Sequence, residues 1–190
     1  MEEVYQNDQH FTNLNFAEQT LPRGEYEACH FVHCSFNKVD LSKSSFVECT
    51  FEHCDLSMAK LNQCTLREVQ FKGCKLLGLH FDYCNPFLLS FSFEDCTLDY
   101  SFFYQLKIPA TSFKNCKLEG VDFVEADLSN AVFDNCDLSA AVFEESILEG
   151  ADLHTAYGFS IDPSLNRIKK ARFSTQNVVG LLGKYGISVE

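Results

Sequence analysis

The sequence of 190 residues is notable first for what it lacks. No segment approaches the roughly 18 consecutive apolar residues of a membrane-spanning helix, so no membrane partner is expected. Met1-Glu2-Glu3-Val4 is acidic with no apolar run behind it, so no signal peptide is expected and the cytoplasm is the expected compartment. Bases are scarce: 15 Lys and Arg stand against 27 Asp and Glu, a formal net charge of −12. Affinity for nucleic acid comes largely from Lys and Arg on phosphates, so nucleic acid is not an expected partner. An acidic chain suits a partner with a basic surface. No Gly-rich phosphate loop and no Ser-His-Asp arrangement stands out. The carboxylates are many, but no cleft-forming loop is visible to hold an acid–base pair. The expectation is a protein without turnover chemistry, catalytic residues or a cofactor.

What the chain has instead is a period. Cys29 to Met58, cut into fives, reads CHFVH, CSFNK, VDLSK, SSFVE, CTFEH, CDLSM. The third residue of each five is large and apolar (Phe31, Phe36, Leu41, Phe46, Phe51, Leu56), the first is small, and the rest are mostly polar. Five is neither the 3.6 of an α-helix nor the 2.0 of a strand, so the chain must turn after each five to point the next large residue inward. The register runs from Phe11 to Phe81, slips by two residues at 85–87 beside Asn85-Pro86, resumes at Leu88 and continues to Leu153. All 29 central positions are apolar.

Every fourth five repeats the same residue. One column reads Phe11, Phe31, Phe51, Phe71, Phe93, Phe113, Phe133, and a column of small residues reads Cys34, Cys54, Cys74, Cys96, Cys116, Cys136. Like residues recurring this way imply a square coil of 20 residues with like stacked on like. With neighbouring strands about 4.8 Å apart, seven coils make a rod roughly 35 Å long. The pattern resembles the pentapeptide-repeat family over about Phe11 to Leu153. The resemblance implies an all-β fold, a right-handed quadrilateral β-helix. We assign residues 1–156 to the coil and 157–190 to a small C-terminal helical cap and dimerisation segment.

Ten cysteines without an export signal are expected to stay reduced. Stacked Cβ atoms about 4.8 Å apart miss the roughly 3.8 Å of a disulfide, and a column offers zinc no tetrahedral cage. The thiols therefore read as small buried apolar groups. His33 and His53, beside Cys34 and Cys54, sit at outward positions, and no metal site is expected there.

Two surface features remain. Glu119 to Asp152 holds ten acids and no base. Within it Asp122, Glu125, Glu144 and Glu145 share one face and corner of two adjoining coils, and Asp127 and Glu149 extend the set. This charge reads either as a solvated surface or as a DNA mimic competing for a basic saddle. Around the slip, Phe87, Leu89, Phe102 and Tyr104 take outward positions with Tyr83 at a corner, a patch suited to a protein contact. The alternative is that the slip folds Phe87 and Phe91 back over these rings.

After Leu153 the five-residue rule is expected to stop. Asp162-Pro163 can cap and open a short helix carrying Leu165 and Ile168. Ser174 can cap a second helix with the stripe Val178, Leu181, Leu182 and Tyr185, followed by Gly186, Ile187 and Val189. This tail covers the sheet edge, or forms a two-fold contact. Tyr157 to Ala171 resembles the post-coil segment of the microcin B17 immunity and albicidin-resistance proteins. Leu181-Leu182-Gly183-Lys184-Tyr185-Gly186-Ile187 is similar to the closing segment of those proteins and of the quinolone-resistance members. The resemblance implies a homodimer through this segment that binds DNA gyrase or topoisomerase IV and protects it from a poison. The quinolone-resistance members carry long projecting loops, whereas this chain offers only its two-residue slip. The alternative function is a β-helical interaction scaffold unrelated to topoisomerases.

Overall fold

The computed structural model describes residues 3–187. The chain winds as an all-β parallel solenoid. Phe11 pairs with Phe31, Phe31 with Phe51 and Phe51 with Phe71, so each coil advances the chain by 20 residues. Across the slip Phe71 pairs with Phe93, 22 positions on, and the shorter step returns with Phe113 and Phe133. Strands His10–Thr12, His30–Val32, Thr50–Glu52, Val69–Lys72, Phe91–Glu94, Ser112–Lys114 and Val132–Asp134 form one seven-stranded sheet. Val4–Asn7, Gly24–Glu27, Ser45–Val47 and Thr65–Arg67 form a second sheet of four. Elsewhere coils meet through single parallel bridges, such as His80↔Phe102↔Asp122↔Val142.

The interior is filled by the repeated residues. Phe31 and Phe51 stack at 4.8 Å and 9°, and Phe113 and Phe133 at 4.9 Å and 1°. Rings in neighbouring columns meet edge-on, the arrangement the ring quadrupole favours. Each fully buried Phe or Leu contributes on the order of 1.5–3 kcal/mol. The thiols also make a ladder: Cys54, Cys74 and Cys136 donate to the carbonyls of Phe31, Phe51 and Phe113 at 3.3, 3.3 and 3.4 Å. Ser101 and Ser146 hold the same place with hydroxyls, donating to Leu76 and Phe123 at 2.7 and 2.9 Å. All ten cysteines are buried and unbridged.

The turn after most central residues is made in the left-handed region. His33, Met58 and Glu125 have φ of 52°, 58° and 56°. Outside glycine this costs about 1–2 kcal/mol per residue. The ladder offsets it: the N–H of His33 donates to Glu52 at 2.9 Å and that of Glu125 to Glu144 at 2.8 Å.

Two expectations need correction. At the slip, Leu88 does not re-enter the core; it is 55 % exposed and takes the left-handed turn position with φ 54°. Phe91 fills the interior instead, 5.3 Å from the ring of Phe81, and Leu89, expected to face outward, is half-buried against the core. The second correction is the helical cap. Asp162–Leu165 is a turn in which Asp162 Oδ1 accepts from the Ser164 N–H at 2.8 Å. The ladder runs on past residue 156, since Arg167 bridges back to Ile147 and Arg172 to Asp152. From Ser174 onward there are only the 3₁₀ turns Val178–Leu181 and Gly183–Tyr185. The cause lies at Gly180. Its carbonyl accepts from Ile161 N–H at 3.0 Å, and a Cβ there would stand 2.5 Å from the Phe159 carbonyl. The segment is pressed against the coil end and bonds to it, and its own backbone bonds are limited to short 3₁₀ turns. Ser174 does cap, accepting from Asn177 N–H at 3.1 Å. Val189 lies outside the described residues.

Candidate functional site

The structure divides the six acids singled out in the sequence. Asp122, Glu125, Glu144 and Glu145 stand together on the face defined by the bridge row His80, Phe102, Asp122, Val142. Among the described residues none of the four has a Lys or Arg partner. Asp127 and Glu149 belong to the next face. Glu149 is neutralised by Arg167 at 2.9 Å, and Asp127 closes its own turn by accepting from Ser129 N–H at 3.0 Å. Asp152 is likewise taken by Arg172 at 2.8 Å. These two bases come from a coil that sequence reasoning had ended too early.

The aromatic patch lies on the same face, one and two coils nearer the N-terminus. Phe102 stacks on His80 at 4.1 Å and 1°, and His80 on Tyr83 at 4.5 Å and 9°. Asp82 accepts from or donates to His80 Nδ1 at 3.1 Å, and burial raises its carboxyl above the ordinary value while His80 pulls it down. Tyr104 donates to Glu125 Oε1 at 3.1 Å, and Gln105 Nε2 donates to Glu125 Oε2 at 2.7 Å. The bond to Glu125 keeps the Tyr104 phenol protonated above its usual range. Acids and rings therefore form one continuous surface. Tyr83 and Tyr104 are exposed, Phe102 is half-buried, and Phe87 is 72 % exposed at the neighbouring corner. The slip covers none of these rings with Phe91, which is in the core. Leu89 lines a small hollow of about 240 Å³ with Pro86, Gln105 and Lys107.

At its C-terminal end this face meets the closing segment. Lys184 Nζ bonds Asp162 Oδ1 at 2.6 Å and Ser164 Oγ at 2.8 Å. The ammonium, followed by Ser164, holds the Asp162 carboxyl down at about 2. The amide of Asn177 donates to the carbonyls of Leu153 and Ala156 at 2.7 and 2.8 Å, satisfying groups that a further coil would otherwise pair. Val178, Tyr185 and Ile187 remain exposed, and Leu181 and Leu182 are half-buried.

Among the described residues no three His, Cys, Asp or Glu side chains are arranged to hold a metal ion. His33 and His53 stack at 5.1 Å and 11°, which sets their ring nitrogens side by side rather than converging. No helix is long and apolar enough to cross a membrane. Burial pushes the Cys49 and Cys64 thiols up to about 12, far from a reactive thiolate.

Comparison with known proteins gives a family match and a fold match. The family description "Pentapeptide repeat region" matches residues 7–81, 44–108 and 88–156. No curated protein sequence matches the chain. Among solved structures, trypsin-treated QnrB1, a plasmid-mediated fluoroquinolone resistance protein, superposes with a TM-score of 0.76 at 16 % identity, over 98 % of this chain and 92 % of that one. HetL from the cyanobacterium Nostoc sp. strain PCC 7120, a pentapeptide repeat protein involved in heterocyst differentiation regulation, gives 0.68 at 18 % identity over 90 % and 88 %.

Proposed function

Because the chain belongs to the pentapeptide-repeat family, we propose that it is a binding protein whose target is DNA gyrase or topoisomerase IV. On this reading it acts as a DNA mimic and protects the enzyme from a topoisomerase poison, giving antibiotic resistance or toxin immunity without turnover chemistry. The observation that carries the reading is the face on which Asp122, Glu125, Glu144 and Glu145 stand with no basic partner. Coils about 4.8 Å apart set such charges in a row, as a nucleic-acid backbone does. The fold shared with a fluoroquinolone resistance protein supports it. We take the coil as right-handed and four-sided. We take the protein as cytoplasmic and as a homodimer through Val178, Leu181, Leu182, Tyr185 and Ile187, of which Val178, Tyr185 and Ile187 are exposed in the single chain.

The second reading is an interaction scaffold unrelated to topoisomerases. The exposed rings around Tyr83, Phe87 and Tyr104 favour it, as does the fold shared with a pentapeptide repeat protein involved in heterocyst differentiation regulation. A supercoiling and cleavage assay decides between them. Titrated into gyrase with albicidin, microcin B17 or a quinolone, the protein should restore supercoiling against one poison. No effect on gyrase or on topoisomerase IV would leave the scaffold.

A further inference from the structure

Acids and aromatic rings on one protein face are recognition chemistry of a particular kind. Tyr83 and Tyr104 are exposed on adjoining coils, and Phe102, in the coil of Tyr104, stacks on His80 in the coil of Tyr83. One coil on from the Phe102 ring, in the same bridge row, stands Asp122. One coil on from Tyr104 and Gln105 stands Glu125, both of whose oxygens are already aligned by those side chains. Glu125 bonds only neutral donors, so no cation is paired with it, and the two bonds restrict its rotation. The acids further along, Glu144 and Glu145, have no cationic partner among the described residues.

We propose that this composite face, from Tyr83 and Tyr104 to Glu125, binds arginine side chains on the surface of a protein partner, a guanidinium lying on the Tyr104 ring being bonded to the Glu125 carboxylate one coil away. The ring-to-acid step is the coil spacing of about 4.8 Å, within reach of one guanidinium laid flat on a phenol. A planar guanidinium can stack and donate two parallel bonds at once, while an ammonium is a strongly hydrated point charge and cannot do both. Charge decides the occupant: the face carries unpaired carboxylates, so an acidic or purely apolar partner would meet repulsion or leave charges buried. The proposal rests on the reading of this chain as a binder of a basic protein surface and narrows that surface to its arginines. It differs from simple phosphate mimicry, which needs no rings.

The test uses the whole protein and two probes, an oligoarginine peptide and an oligolysine peptide of equal length, titrated calorimetrically at matched salt. The arginine peptide should bind tighter by about two- to fivefold, the effect of an exposed cation–π contact. Tyr83→Ser with Tyr104→Ser should remove that preference. Equal binding of the two peptides, or a preference that survives loss of both rings, overturns the proposal. If the double variant does not fold, Glu125→Gln serves: it keeps both rings and should weaken the arginine peptide, and unchanged binding again overturns the proposal. Gyrase separates the two levels. Wild-type protein that prefers arginine but ignores gyrase removes the topoisomerase reading and leaves the face. Wild-type and double-variant proteins that bind gyrase equally remove the face and leave the topoisomerase reading.

Discussion

Within one five-residue repeat each side chain has a separate task, and some tasks are interchangeable between residue types. The small inward position needs a compact group that can donate to a carbonyl of the preceding coil. Cysteine does this at Cys136 and serine at Ser146, so Cys136→Ser should change stability by less than about 1 kcal/mol in denaturant unfolding, the worth of one hydrogen bond. Under native conditions a thiol reagent should modify the buried column no faster than the protein unfolds, because burial removes access. The turn position has the opposite property. Ala140 sits at φ 55° and gains nothing from its methyl group there. Ala140→Gly removes about 1–2 kcal/mol of left-handed cost and adds about 0.4–1 kcal/mol of unfolded-state entropy. The net expectation is a gain of up to about 1.6 kcal/mol, read as a higher denaturation midpoint. The central and small positions were legible in the sequence because stacking demands like residues. The turn position was not, because backbone bonds to the next coil fix its conformation and leave Lys38, Glu48 and Met58 equally acceptable.

At the scale of the element, the last coil and the closing segment are where sequence reasoning failed. The register does not stop at Leu153. Ile168 and Phe173 fall on it, 15 and 20 residues later, and both pack half-buried against the core. Gly158 and Pro163 occupy the two intervening central positions and hide the pattern, while Phe159, one residue off register, plugs the end against Phe173 at 5.6 Å. The apolar spacing of Val178, Leu181, Leu182 and Tyr185 reads as helical, but Gly180 and Gly183 weaken a helix and let the backbone approach the coil. Gly180→Ala should therefore undock the segment without unfolding the coil, seen as lost hydrogen-exchange protection at Ile161 N–H, which bonds the Gly180 carbonyl. The Lys184–Asp162 contact should make this docking acid-sensitive. Asp162 is lowered from 3.8 to about 2, so the contact contributes fully above about 4 and is lost as pH falls through about 2. Protection at Ile161, corrected for intrinsic exchange, should fall across that window in the wild type. In Asp162→Asn it should already be reduced at neutral pH. The acidic and aromatic positions were both visible in the sequence, but as separate features. Only the 22-residue step at the slip brings Tyr83 and Gln105 into line with Glu125 and makes them one face.

At the scale of the whole molecule, charge and core are distributed differently along the rod. The rings run its length, but residues 82–153 carry 14 acids against 3 bases while residues 1–81 carry 11 against 7. In a solenoid each coil contacts only its neighbours, so like charges stacked about 4.8 Å apart cannot spread away from one another without breaking the ladder. The repulsion is stored in the folded state and is relieved when the chain unfolds and expands. Screening should therefore stabilise the protein. Raising monovalent salt from about 0.01 M, where the Debye length is about 30 Å, to about 0.1 M, where it is about 10 Å, should raise the melting temperature by a few degrees. The triple substitution Glu125→Gln, Glu144→Gln, Glu145→Gln should raise the low-salt melting temperature and flatten its salt dependence. If the acids were balanced by nearby bases, as Glu149 and Asp152 are, added salt would leave stability unchanged or lower it. A rising curve that the triple variant flattens would locate the unbalanced charge on this face. It would also imply that a basic partner docking there relieves repulsion as well as forming contacts, so the complex should unfold at a higher temperature than the free protein by more at low salt than at high salt.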